Sequence, residues 1–201
     1  MNRRAKISVV TGLMAALLAS GAVAQTKLGS DADAFLNAIR DGDSGKAADI
    51  ARRQGTSVIN YRGHSGETPL TVATASRSGL YVGFLLGNGA QPDFPNQRGD
   101  TALIIAARSG FVEAVQMLIE ANAKVGLANR QGESPLIAAV QGRHTRVVKI
   151  LLDAGATADT PDFAAGYSAR DYARRDTRNP ELLRLIETIK PTRKMVAGPT
   201  R

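Results

Sequence analysis

The stretch RGDTALIIAARSG, residues 98–110, decides the fold because two other parts of the chain repeat it. RGHSGETPLTVAT (62–74) and RQGESPLIAAV (130–140) show the same turn, the same hydroxyl residue and the same apolar run. Aligning them places Gly66, Gly99 and Gly132 at one position, at equal intervals along the chain. The interval of about 33 residues is typical of repeat architectures, in which each copy forms one small structural unit.

Each copy predicts a tight turn followed by a capped helix. The glycine permits the positive φ that a tight turn needs, and a hydroxyl residue two positions later is a candidate N-cap. Proline at the first helical position is favourable because its missing N–H has no partner to lose there. Leucines then begin the buried face, and alanines let neighbouring helices approach closely. The candidate N-caps are Thr68, Thr101 and Ser134, and the prolines are Pro69 and Pro135. The leucines are Leu70, Leu103 and Leu136, and the alanines are Ala73, Ala106, Ala107, Ala138 and Ala139.

A second helix follows in each copy. Its apolar pairs recur at the same interval as the glycines, at Leu85-Leu86, Leu118-Ile119 and Leu151-Leu152. A Gly or Asn comes shortly after each pair, as expected for a left-handed C-cap: Gly89, Asn122 and Gly155. One pair of short helices cannot cover its own apolar face, so the copies are predicted to stack.

These residues resemble the ankyrin repeat, whose period is about 33 residues and whose motif is T-P-L-H-x-A. ETPLTVAT, DTALIIAA and ESPLIAAV match the motif, and LLGNGA, LIEANA and LLDAGA match the end of the unit. The family's histidine is replaced by Thr71, Ile104 and Ile137. The resemblance implies an all-α solenoid of about five helix-turn-helix units with short β-hairpin-like turns. Its predicted units are 62–94, 95–127 and 128–161, with an N-terminal cap repeat at 31–61 and a C-terminal cap repeat at 162–189.

The N-terminal residues predict export. Arg3, Arg4 and Lys6 precede a short apolar run, and Ala22-Val23-Ala24 resembles a cleavage site, so residues 1–24 are interpreted as a signal peptide cut after Ala24 or nearby. The chain has no cysteine, so no disulfide can stabilise it. We expect a bacterial periplasmic location, with an extracellular one left open, and no membrane span after cleavage. Residues 25–30 and 190–201 are expected to be disordered.

The net charge of +8 is concentrated outside the predicted repeats. The signal segment carries three of the 26 basic residues, and the tail adds Lys190, Arg193, Lys194 and Arg201. The remaining 19 basic residues nearly balance the 18 acidic ones. A nucleic-acid-binding protein needs its positive charge clustered on the folded body, so the sequence argues against a nucleic-acid partner.

The sequence shows no catalytic constellation, and the chain is predicted not to be an enzyme. Its only histidines are His64 and His144, and with no cysteine a soft metal site lacks ligands. We expect His64 to face water in a turn and His144 to be structural, and we expect no metal and no cofactor. Asp41 and Asp43 match only a fragment of a calcium loop and are interpreted as helix-end residues.

The resemblance implies where a partner would bind, because ankyrin repeats usually bind proteins through their turn tips and the exposed side of the first helix. The candidate partner-binding residues are His64, Ser65, Glu67, Gln97, Arg98, Asp100, Arg108, Arg130, Gln131, Glu133 and Gln141. Arginine pairs well with carboxylates and is favoured at interfaces. The neighbouring acids could equally neutralise the arginines within the chain, and the sequence leaves both alternatives open.

The sequence therefore predicts a non-catalytic interaction module of the periplasm that binds another envelope protein through the concave groove of the stack. The alternative is an anionic non-protein ligand, a cell-wall polymer or a lipid head group, bound at the basic C-terminal end. That end comprises Arg174, Arg175 and the tail 190–201. The sequence names neither the partner nor the oligomeric state.

Overall fold

The computed structural model describes residues 29–189, apart from the side chain of Thr56. Within that range it contains eleven helices and no strand. The helices are α1 (29–41), α2 (Ser44–Gln54), α3 (Thr56–Ile59), α4 (Pro69–Ala75), α5 (Gly79–Gly87), α6 (Ala102–Arg108), α7 (Val112–Glu120), α8 (Pro135–Gln141), α9 (Thr145–Asp153), α10 (Ala169–Arg175) and α11 (Pro180–Thr188). The predicted signal peptide 1–24, residues 25–28 and the predicted tail 190–201 lie outside the described residues.

The helices stack in two layers. The first helices α4, α6, α8 and α10 contact one another in sequence, and so do the second helices α5, α7, α9 and α11. Each first helix also packs against the second helix of its own unit. With the N-terminal α1, α2 and α3, this makes five units and confirms the predicted all-α repeat solenoid.

The repeated apolar residues form the core between the units. Leu85, Leu118 and Leu151 are fully buried, one in each second helix. The repeated alanines of α4, α6 and α8 are also fully buried. Because an alanine side chain is a single methyl group, neighbouring first helices can approach closely at these positions.

The predicted caps are all present. The hydroxyls of Thr68, Thr101 and Ser134 accept a hydrogen bond from the backbone N–H three residues later, at 3.2–3.3 Å. Thr71, which stands where the family has histidine, completes a capping box by accepting from the N–H of Thr68 at 2.9 Å. The same N-cap occurs a fourth time at Ser168, before α10, which the motif comparison did not identify.

The unit ends also match their prediction. Asn122 has φ +62°, close to the positive φ of Gly89 and Gly155 at the equivalent positions. Asparagine is one of the few residues besides glycine that adopts this conformation readily. The exchange of Gly for Asn therefore keeps the backbone path.

The N-terminal unit begins earlier than predicted. Residues 29 and 30 lie in α1, although the sequence placed them in a disordered segment 25–30. Burial of Ala32 and Phe35 against the stack orders the first turns of this helix. Asp43 caps α2 through a 2.9 Å bond from the N–H of Lys46, which agrees with its interpretation as a helix-end residue.

Candidate functional site

Three hollows that share lining residues border the first helices of the stack; the first and second also reach the turn tips, whereas the third lies at the C-terminal ends of α8 and α10 and the turns that follow them. We call them together the repeat groove. The first hollow lies over α4 and α6, the second over α6, α8 and α10, and the third beside α8 and α10. Arg98 and Arg108 line both the first and second hollows, and Gln141 and Tyr172 line both the second and third. The second hollow has a volume of about 370 Å³. Six of the eleven candidate residues line it: Arg98, Asp100, Arg108, Gln131, Glu133 and Gln141.

Asx side chains hold the turn tips in place. Asn96, Asn129 and Asp162 each accept two backbone N–H bonds from residues of their own tip, at 2.8–3.0 Å. Each tip is also closed by a backbone bond, for example from the N–H of Asn129 to the carbonyl of Glu133 at 3.1 Å. Adjacent tips are joined in turn, since the N–H of Arg130 donates to the carbonyl of Arg98 at 3.3 Å. These are the hairpin-like turns that the resemblance implied, without strands in the described residues.

A network of charged side chains connects two units beneath the groove. The guanidinium of Arg108 donates to both oxygens of Asp100 at 3.1 and 3.2 Å and to Glu133 Oε2 at 2.5 Å. Asn129 Nδ2 donates to the same two carboxylates, at 2.7 and 3.0 Å. Asp100 is only 1% exposed and Arg108 is 37% exposed. Arg108 is therefore largely engaged within the chain, as the second of the two sequence alternatives proposed.

The electrostatics of this network favour its charged form. Burial by itself raises the pKa of a carboxyl group, but hydrogen bonds from Arg108 and Asn129 and the charges of Arg108 and Arg98 bring the pKa of Asp100 below its usual value. Burial likewise works against the charge of Arg108, yet its bonds to Asp100 and Glu133 raise its pKa above the usual value. Asp100 and Arg108 are thus both charged at neutral pH.

Arg98 and Arg130 differ from Arg108 because they lie at the turn tips. Arg98 is 76% exposed and has one ion pair, from its Nη2 to Asp100 Oδ2 at 3.0 Å. Arg130 is exposed and forms no ion pair with any of residues 29–189. Gln131, at the same tip, and Gln141, at the end of α8, are also exposed. Arg98, Gln131 and Gln141 line the groove and remain available at its surface, whereas Arg130 is exposed at the tip beside it and lines none of the three hollows.

The N-terminal tip carries the remaining candidates. Glu67 pairs with Arg40 of α1 at 2.7 Å, and it lines the first hollow. His64 lies in the solvent-exposed turn, as expected, with its Nδ1 3.2 Å from Asp33. Ser65 and Gln97 are exposed at successive tips. His64, Ser65, Gln97 and Arg130 line none of the three hollows, so the structure separates them from the six candidates in the second hollow.

The third hollow contains residues from the C-terminal unit. Arg143 holds Asp176 through two hydrogen bonds of 2.5 and 3.3 Å, and the bond from Arg143 lowers the pKa of Asp176. The guanidinium of Arg175 lies over the ring of Tyr167, 3.8 Å from its centroid. Arg178 lines the same hollow and is exposed.

Sequence reasoning missed several groove residues. Asn129, Asp162, Ala164 and Tyr172 line the second hollow, and the Tyr172 hydroxyl donates to Asp162 at 2.7 Å. One signal was present for Asn129, because Asn96 occupies the same position in the preceding unit. Asp162 and Tyr172 belong to a degenerate unit in which no motif marks them.

His144 has a structural environment. Its Nε2 lies 3.1 Å from the backbone carbonyl of Arg108, and its ring packs so closely that a Cβ on Gly110 or Gly142 would meet it at 2.5 Å. Among residues 29–189, no group of three or more His, Asp or Glu side chains is placed to bind a metal. In the same range, no helix combines the length and apolar character needed to cross a bilayer.

Comparison with known proteins identifies one family. The model for ankyrin repeats, in three copies, matches residues 74–162, from within α4 to the tip before α10. No curated protein matches the chain.

Proposed function

The chain is an ankyrin-repeat protein, and from that premise we propose that it is a non-catalytic module that binds another protein along the repeat groove. Ankyrin repeats generally mediate protein–protein interaction. The observation that carries the proposal is the continuity of the groove. Its three hollows share lining residues and together border four first helices, and its tips are held by the Asx bonds described above.

The arginine that is paired within the chain and the arginines that are exposed at the turn tips have different roles in this proposal. Arg108, with Asp100 and Glu133, fixes the floor of the groove, because its hydrogen-bonding capacity is directed at the two carboxylates. Arg98, which lines the groove, and Arg130, at the tip beside it, are exposed and able to contact a partner. An ordered site loses less entropy on binding than a mobile one does. The internal network therefore supports binding without itself contacting much of the partner.

We further propose that the protein acts in the bacterial periplasm, on an envelope partner. The support for this location is the N-terminal sequence, with its basic start, apolar run and Ala22-Val23-Ala24. The absence of cysteine is compatible with an oxidising compartment, since no thiol is present to oxidise.

The test uses two charge-matched variants as bait in an envelope extract. The groove variant combines Arg98→Glu and Arg130→Glu, and the control combines Arg146→Glu and Arg184→Glu on α9 and α11. Arg108 is left unchanged because a third carboxylate beside Asp100 and Glu133 would disrupt the fold itself. We expect the groove variant to lose specific partners that the control retains. Retention of every partner by the groove variant contradicts the proposal.

The second candidate function is the binding of an anionic polymer or lipid head group at the basic C-terminal end. Arg174, Arg175 and Arg178 are all exposed there, which favours it. Deletion of residues 190–201 separates the two functions. Binding of an anionic cell-wall polymer or of vesicles containing anionic lipid should collapse if the tail carries it, whereas protein capture by the groove should survive.

A further inference from the structure

The third hollow, at the C-terminal end of the repeat groove, is lined by more positive than negative side chains. We propose that the third hollow binds a cluster of carboxylates at one end of an extended segment of the partner protein. This inference rests on the proposed function and specifies the chemistry of the partner. It follows from three features: the charge of the third hollow, the charge of the second hollow and the continuity between them.

The third hollow is lined by three arginines and one carboxylate. The carboxylate of Asp176 already has partners within the chain. It accepts hydrogen bonds from Arg143 at 2.5 and 3.3 Å and from the backbone N–H of Arg178 at 3.1 Å. One positive charge is therefore neutralised within the chain. The side chains of Arg175 and Arg178 form no ion pair within residues 29–189.

Arg175 is held in a defined orientation. Its guanidinium lies 3.8 Å from the centroid of the Tyr167 ring, and that ring makes an edge contact with Tyr172 at 5.6 Å. A guanidinium stacked on an aromatic face keeps its N–H groups at the edge, free to donate two parallel bonds to a carboxylate. The stacking also reduces the side-chain entropy lost on binding. Arg175 is thus positioned as an anion-binding side chain.

The second hollow is lined by more negative than positive side chains. Three carboxylates line it, on Asp100, Glu133 and Asp162, against the two guanidinium groups of Arg98 and Arg108. Burial raises the pKa of Asp162, but the Tyr172 hydroxyl and backbone N–H groups lower it below its usual value, so this carboxylate is charged. A ligand with negative charge along its whole length would meet this acidic section and be repelled. A segment with a neutral body and acids at one end matches both hollows.

The dimensions fit a peptide. The groove follows four first helices, and neighbouring packed helices lie about 8–10 Å apart. The distance from α4 to α10 is then about 24–30 Å, which an extended chain covers with about eight residues at about 3.3 Å each. The polar side chains of Gln131 and Gln141 along the way can bond to peptide groups.

The test compares two peptides on the full chain labelled with nitrogen-15. One peptide has a neutral Gly/Ser/Ala body ending in three glutamates, and the other has three glutamines instead. We expect the glutamate peptide to shift backbone and side-chain signals of residues 141, 143 and 172–178, and the glutamine peptide to leave them unchanged at the same millimolar concentrations. Equal effects of both peptides, or no effect on these residues, would overturn the inference. Stronger binding of inorganic polyphosphate than of the glutamate peptide at the same residues would also overturn it, in favour of a polyanion.

Charge-matched variants give an independent measurement. Arg175→Gln with Arg178→Gln should weaken binding of the glutamate peptide by about tenfold or more, because two charge-assisted hydrogen bonds are lost. Arg146→Gln with Arg184→Gln, on the outer helices, should change it by less than about twofold. Arg175→Lys with Arg178→Lys keeps the charge and should retain part of the affinity. Equal weakening by the Gln pair and by the control pair contradicts the site.

The outcome is distinguishable from that of the proposed function. Suppose that the glutamate peptide leaves the third hollow unaffected while the Arg98/Arg130 variant still loses its partners. The groove then binds protein, but the inference that the partner segment ends in carboxylates is wrong. If the peptide binds at Arg175 while that variant keeps every partner, the anion site stands and the groove assignment fails.

Discussion

The left-handed residue of each inter-helix turn is the clearest case in which one side chain decides local structure. Arg77, Gly110 and Arg143 occupy this position in successive units, with φ between +54° and +67°. At Gly110 an added Cβ would meet the ring of His144 at 2.5 Å, so the lack of space requires glycine there in addition to the positive φ that favours it. Arg143 adopts the same conformation while its guanidinium binds Asp176. A contact to the next unit thus compensates for an unfavourable φ.

The first prediction concerns a buried leucine. Leu118→Ala should lower the free energy of unfolding by about 2–5 kcal/mol, because the side chain is fully buried between units and its removal leaves a cavity. Leu80→Ala is the matched control, since Leu80 is 74% exposed and should change stability by less than about 0.5 kcal/mol. Urea denaturation measures both. Similar effects of the two substitutions would place Leu118 outside the core.

At the scale of elements, the network around Arg108 connects one helix to the following unit. Arg108 closes α6, whereas Glu133 and Asn129 belong to the tip that precedes α8. The buried carboxylate of Asp100 is bound by Arg108, Asn129 and Arg98 in place of water. The two units therefore share a polar contact in addition to their apolar one.

This network predicts a pH dependence of stability. Because the pKa of folded Asp100 lies below that of the unfolded chain, its charged form stabilises the fold above about pH 3.9 and the contribution is lost as the pH falls through the folded pKa. Asp100→Asn should thus cost about 2 kcal/mol at pH 7, with a smaller cost under strongly acidic conditions. Urea midpoints across this pH range measure the difference.

The control for this prediction is Asp49→Asn, which alters an exposed carboxylate paired with Arg52. It should leave the urea midpoint nearly unchanged at every pH, because exposed ion pairs contribute little. A cost for Asp100→Asn that stays constant as the pH falls would show that the charge of Asp100 is not its stabilising feature.

At the scale of the whole molecule, stability depends on position in the stack. The helices α6 and α8 have a neighbour on both sides in the first layer, whereas α11 is the last helix of the described stack and packs mainly against α9 and α10. In a linear array, each unit is stabilised by its nearest neighbours, so the end units open most readily.

Hydrogen exchange should show this gradient. We expect the slowest amide exchange in α6 and α8 and exchange at least about tenfold faster in α11, which corresponds to about 1.4 kcal/mol of additional opening free energy in the centre. Exchange measured by mass spectrometry or NMR resolves the individual helices. Uniform protection of all units would indicate a single cooperative transition and contradict the array description.

The sequence by itself determined the architecture. The period, the N-caps at Thr68, Thr101 and Ser134 and the left-handed Asn122 were all predictable, because each depends on residues within a few positions of one another and recurs in every unit. The features that the sequence did not predict lie where the repeat motif is degenerate. The start of α1 and the N-cap Ser168 both belong to the end units.

Only the tertiary structure decided which groove charges are free. Arg108 and Arg130 are both candidate partner-binding arginines in the sequence, yet Arg108 is bound by Glu133, 25 residues away, and Arg130 is exposed at its turn tip. Asp162 and Tyr172 enter the groove from a unit without a motif. Local periodicity specifies backbone hydrogen bonds within each unit, but the pairing of long charged side chains depends on distances between units, which arise only when the units stack.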